Sequence, residues 1–163
     1  ARFWATQSRE PKRHYEHKEL GFNYRMSNIV AGIGRGQLKV LDDRIKKKQD
    51  IYNRYKEAFS DIEEIEMMPI NEWNEPNCWL SSMTVKGSIK PIDIMLALEK
   101  ENIESRPLWK PMHLQPFFKE YDFIGEGVSD DLFNRGICLP SDTKMTDQQQ
   151  DKVIKIIKEL YNA

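Results

Sequence analysis

Three histidines, His14, His17 and His113, are the side chains whose charge changes near neutral pH, and they are the first candidates for chemistry. His14 and His17 stand three residues apart around Glu16. They would supply two local metal ligands, but the two cysteines, Cys78 and Cys138, are remote and form no CxxC pair, so no metal site is expected. No GxSxG, HExxH or Walker-type glycine loop is present, which removes the usual hydrolase and nucleotidase signatures. His113 has richer company, in Arg106-Pro107-Leu108-Trp109-Lys110-Pro111-Met112-His113-Leu114-Gln115-Pro116. Arg106 and Lys110 suit phosphate oxygens, and Trp109 offers a flat face to a sugar or base. The three prolines limit the conformational entropy lost on fixing the loop. The same composition also suits an ordinary surface loop tied down by its prolines. A second candidate is Tyr15–Asn28, a polar and aromatic stretch with Gly21 at its centre. It enters a helix start, where side chains and free backbone N–H groups can meet an anion.

The elements that must hold these residues follow from periodicity. Residues 1–26 have no period and are read as irregular, an interface arm or else a loose tail. Their large groups Phe3, Trp4, Tyr15 and Phe22 need a surface to cover them. From Ser27, a good N-cap, a helical pattern runs through Ile29, Ile33, Val40, Leu41, Ile45, Tyr52 and Tyr55 to Phe59. Such a helix would be on the order of 50 Å long. Gly32, Gly34 and Gly36 lie in its first half, each costing about 1 kcal/mol relative to alanine. They imply either a close approach of another backbone or ligand, or a break. Lys46-Lys47-Lys48 reads as a solvated face.

Strands are expected over 65–70, 78–85, 103–107 and 137–140. A helix led by Pro91 should cover 92–102 with Ile92, Met95, Leu96 and Leu98 inward. Ser129 should cap a short helix closed by Gly136, and Thr146 should open a C-terminal helix with Val153, Ile154, Ile156, Ile157 and Leu160 inward. The fold class is therefore α/β (α+β): a long helix leading into a small sheet with helices on one face, over residues 27–163.

Composition bounds the rest. The 163 residues are 39% hydrophobic and 31% charged, which suits a globular chain with a real core. A formal net charge of -1 lacks the basic surplus of a dedicated nucleic-acid binder. No apolar run approaches membrane-spanning length, and no apolar signal core opens the chain, so a cytoplasmic location with reduced, buried thiols is expected.

Gly21-Phe22-Asn23-Tyr24-Arg25-Met26-Ser27-Asn28, with Ala31-Gly32-Ile33-Gly34, Gln37-Leu38 and Leu41-Asp42, resembles the signature of the DegT/DnrJ/EryC1/StrS sugar aminotransferases. Pro111-Met112-His113-Leu114-Gln115-Pro116 and Leu139-Pro140 resemble its C-terminal pattern, most closely in the branch acting on UDP-linked 4-keto-6-deoxy-N-acetylhexosamines. The resemblance covers essentially the whole chain. It implies the C-terminal small domain of the fold-type I pyridoxal-phosphate aminotransferases, homodimers that move an amino group from glutamate to a nucleotide-linked keto-sugar. It further implies that Asn23 reaches the phosphate of the pyridoxal 5'-phosphate held by the neighbouring subunit. Arg25, Arg106, Trp109 and His113 are then expected to bind the nucleotide-sugar. The Schiff-base lysine of such enzymes lies in a large domain upstream, so the resemblance puts no catalytic residue in this chain and implies that the chain alone is inactive. A non-catalytic binding or dimerisation module derived from the same fold is the alternative reading.

Overall fold

The computed structural model describes residues 1–162. By internal contacts the chain divides into two compact units, Ala1–Leu41 and Asp42–Ala163.

The first unit is more ordered than its lack of period suggested. Arg2–Ala5 forms a short helix, α1, and the chain then turns back on itself. Gln7 and Ser8 take positive φ values of 66° and 50°, which reverses the backbone before residues 20–24 run alongside. Gln7 N–H donates to Phe22 O at 3.0 Å, and Tyr24 N–H donates to Ala5 O at 3.0 Å. Gly21 is required there. A Cβ at that position would sit 2.2 Å from the Gln7 carbonyl carbon and 2.3 Å from the Ser8 nitrogen, both backbone atoms. Asn28–Leu38 is α2, capped as expected by Ser27, whose hydroxyl accepts from Val30 N–H at 3.3 Å. The expected single helix ends here. Lys39 and Val40 form a turn, and Leu41–Ala58 is a separate helix, α3. The helix does not break at its glycines, and added β-carbons at Gly32, Gly34 and Gly36 would meet nothing within 4 Å. Among the described residues, therefore, no close approach accounts for them.

The second unit carries the core. Its strands are β1 (Ile65–Met67), β2 (Ser81–Val85), β3 (Arg106–Pro107) and β4 (Gly136–Leu139), in the spatial order β1-β2-β4-β3 with every neighbouring pair antiparallel. The remaining helices are α4 (Pro91–Glu99), α5 (Val128–Arg135) and α6 (Asp147–Tyr161). Alternation decides the faces. Met83 and Val85 of β2, with Ile137 and Leu139 of β4, point into one buried cluster. Ile51 and Tyr55 of α3 with Phe59 just past its end, Ile94 and Leu98 of α4, and Val153 and Ile157 of α6 fill its other side. Short α5 instead meets β2 and β4 beside Ser82, Thr84 and Leu108, an addition to the expected layer. Gly136 permits that approach, because a Cβ there would lie 2.4 Å from Leu132 O and 2.1 Å from Leu108 Cδ1.

Several boundaries move for local reasons. β2 begins at Ser81 and not at residue 78, because Cys78 sits at φ 48°, outside strand geometry. Ser129 lies inside α5, whose N-cap is Gly127 at φ 80°. α4 is rotated from the expected side. Ile94 and Leu98 are buried, whereas Ile92 and Leu96 are about half exposed. Thr146 does open α6, with Gln149 N–H donating to its hydroxyl at 3.2 Å and Thr146 N–H donating back to Gln149 Oε1 at 2.9 Å. Among the described residues no helix is long and apolar enough to cross a membrane.

Candidate functional site

In the first unit, residues 21–25 are extended, so side chains two apart share a side. Phe22 and Tyr24 stack on one side, with ring centroids 5.2 Å apart and planes 13° from parallel. Asn23 and Arg25 fall on the other and line a polar cavity of about 490 Å³ with Thr6, Gln7, Arg9, Glu10, Pro11 and Lys12. The cavity thus joins two amides, two guanidinium groups and an ammonium to a single carboxylate. Neighbouring contacts order its rim. Lys12 pairs with Glu16 at 2.6 Å, and the Arg9 guanidinium lies 4.0 Å over the Tyr15 ring. Lys12 first, then His14, holds the Glu16 carboxyl below its ordinary pKa. His17 Nδ1 contacts Gln7 O at 2.7 Å, so the imidazole braces the arm.

In the second unit, Arg106 and Trp109 do come together. They line a mainly apolar cavity of about 580 Å³ with Leu80, Glu104, Ser105, Pro107, Cys138, Leu139, Pro140 and Ser141. Trp109 is tilted against Trp79 at a centroid distance of 6.1 Å. Arg106 is already paired, its Nη2 lying 2.5 Å from Glu104 Oε1. Its charge is therefore partly spent inside the protein. Burial pushes the Cys138 thiol above its ordinary pKa, so it lines the wall as an inert group.

The wall residues Pro140 and Ser141 are tied to α3. Tyr55 Oη donates to Pro140 O at 3.0 Å, and Lys48 Nζ donates to Ser141 O and to Trp79 O, the latter at 2.9 Å. Lys48 is therefore a structural clamp and not part of a solvated run. A lysine run carries no mark of which member faces inward, so only the turn of α3 reveals it. Trp79 is read from sequence only as part of the strand over 78–85 and Ser141 stands in no patterned segment, so neither is marked as a site residue.

His113 is not in this cavity. It lies in a 3₁₀ turn over Met112–Leu114, and its side chain is 16% exposed. The ring stacks on Phe123 at 3.6 Å between centroids, 20° from parallel. Its Nε2 lies 2.7 Å from Asp130 Oδ1 in α5, an ion-pair distance, although the two groups are not aligned for a directed hydrogen bond.

The chain matches a DegT/DnrJ/EryC1/StrS aminotransferase solved from Brucella abortus with a TM-score of 0.84 and 25% identity, over 99% of this chain and 43% of that one. It matches the pyridoxal-phosphate form of the sugar aminotransferase Spr1654 of Streptococcus pneumoniae with a TM-score of 0.86 and 22% identity, over 99% of this chain and 42% of that one. In sequence it is 46% identical to the putative pyridoxal phosphate-dependent aminotransferase EpsN of Bacillus subtilis, over 100% of this chain and 43% of that protein. It is 30% identical to the GDP-perosamine synthase of Escherichia coli O157:H7, over 92% of this chain and 40% of that protein. Residues 2–158 match the DegT/DnrJ/EryC1/StrS aminotransferase family, and the chain belongs to that family. It spans less than half the length of these relatives.

Proposed function

We propose that this chain is the small-domain part of a pyridoxal-phosphate aminotransferase that moves an amino group from glutamate to a nucleotide-linked keto-sugar in the biosynthesis of amino sugars for polysaccharides. The observation that carries the reading is the polar cavity in which Asn23 and Arg25 meet Arg9 and Lys12. Its donors fit a phosphate dianion, through planar guanidinium forks and an amide N–H. Asn23 would hold the phosphate end of the cofactor, with Arg25 beside it serving the nucleotide-sugar; when bound, the cofactor supplies the electron sink for amino transfer. Lys48, the lysine most engaged with the core, is committed to two carbonyls and serves as no imine-forming group. The imine-forming lysine is proposed to correspond to the part of the longer relatives that this chain does not match, so the chain alone should not transaminate.

The cavity beside Arg106 and Trp109 suits the nucleotide-sugar, with Trp109 giving a flat apolar face and Arg106 a cation. His113, on the same loop, contributes from beside α5. A uridine diphosphate is the preferred nucleotide. The enzyme is proposed to work as a homodimer in which the arm completes the neighbouring subunit's cofactor pocket. The exposed Trp4, Phe22 and Tyr24 support that role.

The test is a panel of UDP-, GDP- and dTDP-linked 4-keto-6-deoxy sugars offered to the full-length enzyme with glutamate. A 4-amino-sugar product is expected with a UDP sugar, and Asn23→Ala should release cofactor on dialysis. Product formed by the 163-residue chain alone, or unaltered cofactor retention in Asn23→Ala, refutes the assignment.

A further inference from the structure

The segment between α4 and β3 sets the charge of the cavity that Arg106 lines. Asn102, at φ 57°, turns the chain back after α4, and Ile103 N–H donates to Leu98 O at 3.0 Å. From there into β3 the residues alternate in exposure. Ile103 packs against the core and Ser105 is half-buried, whereas Glu104 and Arg106 are exposed. Glu104 and Arg106 therefore stand two apart on one side, and both line the cavity beside Trp109. One carboxylate oxygen joins them. Arg106 Nε donates to Glu104 Oε1 at 2.8 Å, and Nη2 lies 2.5 Å from the same atom. The two side chains are 76% and 72% exposed, so the pair adds little to folding stability. Its consequence is electrostatic. Among the described residues, Arg106 and Glu104 are the charged groups lining this cavity, so the lining carries no net formal charge. The polar cavity of the first unit is the opposite case, with Arg9, Lys12 and Arg25 set against Glu10.

We propose that Glu104 is a specificity-determining residue, whose carboxylate makes this cavity select a nucleotide-linked sugar over the free nucleoside diphosphate; the inference rests on the assignment of the cavity to the nucleotide-sugar given above. In a nucleotide-sugar both phosphates are esterified on two sides, and each carries one negative charge. In the free diphosphate the terminal phosphate ionises a second time, with a pKa near 6, and adds about one further charge at neutral pH. Arg106 attracts both ligands. Glu104 opposes both, and it opposes the more highly charged one more. A guanidinium with no carboxylate beside it would instead favour the extra charge. The sugar also brings hydroxyl groups. Glu104 engages Arg106 through Oε1, and Oε2 has no partner among the described residues, so it can accept from a sugar hydroxyl that the free nucleotide lacks.

The experiment uses the full-length enzyme with UDP-4-keto-6-deoxy-N-acetylglucosamine and glutamate, without divalent cations, which would neutralise the phosphates. UDP and UDP-N-acetylglucosamine, the latter having no keto group to aminate, are added as competitors. The Ki of each against the keto-sugar is measured in wild type, Glu104→Gln, Glu104→Asp and Arg106→Ala. In Glu104→Gln the ratio of the two Ki values should shift about threefold to fivefold towards UDP, the scale of one charge acting on another across a largely solvated site. Glu104→Asp, which keeps the charge, should leave the ratio within about twofold of wild type. Raising salt should shrink the shift in Glu104→Gln, because it screens the carboxylate that the wild type retains. A merely structural loss would weaken both competitors alike and leave the ratio where it was. If the wild type does not turn over the keto-sugar, or Arg106→Ala leaves both Ki values unchanged, the cavity is not the nucleotide-sugar site and the inference falls with that reading. If Arg106→Ala weakens both competitors but the ratio holds in Glu104→Gln, or shifts equally in Glu104→Asp, the selective role of Glu104 alone is overturned.

Discussion

Replacing Lys48 with methionine tests how the cavity wall is held. Lys48 Nζ donates to Trp79 O at 2.9 Å and to Ser141 O, joining α3 to both segments that bracket the start of β2 and the end of β4. Methionine keeps most of the apolar stem, so little packing is lost and the loss is confined to the charged head. A hydrogen bond to a charged group contributes about 1.5–3 kcal/mol net. Trp79 is exposed, so water can replace the donor at its carbonyl, and that bond should contribute little. Ser141 is 6% exposed, and its carbonyl would lose its donor where water has poor access. The expected destabilisation is therefore about 2 kcal/mol, dominated by one bond. For a chain of this size that corresponds to a fall of roughly 4–8 °C in Tm. Urea unfolding followed by circular dichroism would measure it, with an unchanged slope showing that the unfolded state is the same. Lys46→Met, at an exposed position of the same run, should stay within about 0.5 kcal/mol of wild type. Equal small effects from Lys46→Met and Lys48→Met would refute the clamp and restore the solvated-face reading.

Gly136→Ala should destabilise the second unit strongly, since its Cβ would press on the Leu132 carbonyl and Leu108, whereas Gly32→Ala, facing open space in α2, should add about 0.5–1 kcal/mol of helix stability in the chain by itself. Thermal unfolding of the two variants would show shifts of opposite sign. Cys78 and Cys138 are buried, with thiols pushed above their ordinary pKa by that burial, so alkylation at pH 8 should be slow in the native chain and rapid in denaturant. Asp61, Glu101 and Asp131 are held below the ordinary carboxylate range by hydrogen bonds from Lys158, Lys152 and Arg135 respectively. Each is more acidic folded than unfolded, so its stabilisation is complete above the unfolded pKa of about 4 and is lost as pH falls through the folded value. Acid titration should show that loss below about pH 4, diminished by salt because all three pairs are exposed.

Much of the fold could be read from the chain where local chemistry is strict. Ser27 and Thr146 cap helices because their hydroxyls sit one step before a helical period. The strand ending at Leu139 is an uninterrupted apolar run stopped by Pro140. Asn23 and Arg25 came only from the motif resemblance, since residues 1–26 show no period, and it is the fold that sets both on one polar cavity. The break at Lys39–Val40 was not legible, since neither residue is a breaker and the apolar period continues through it. Nor was the rotation of α4. Ile92, Ile94, Met95, Leu96 and Leu98 are all apolar, and the partners in α3 and α6 select Ile94 and Leu98.

The sequence by itself determined the family, the caps, the principal strands and the polar character of the arm, because these depend on residues close together in the chain. Tertiary structure decided which functional groups share a space. Arg106 and Trp109 meet at one cavity because β3 lies at the sheet edge beside β4, while His113 is carried away to Asp130 by a loop whose path no local rule specifies. Long-range pairings set by packing, Lys48 with Ser141 and His113 with Asp130, leave no periodic trace, and so they emerge only when the chain is folded.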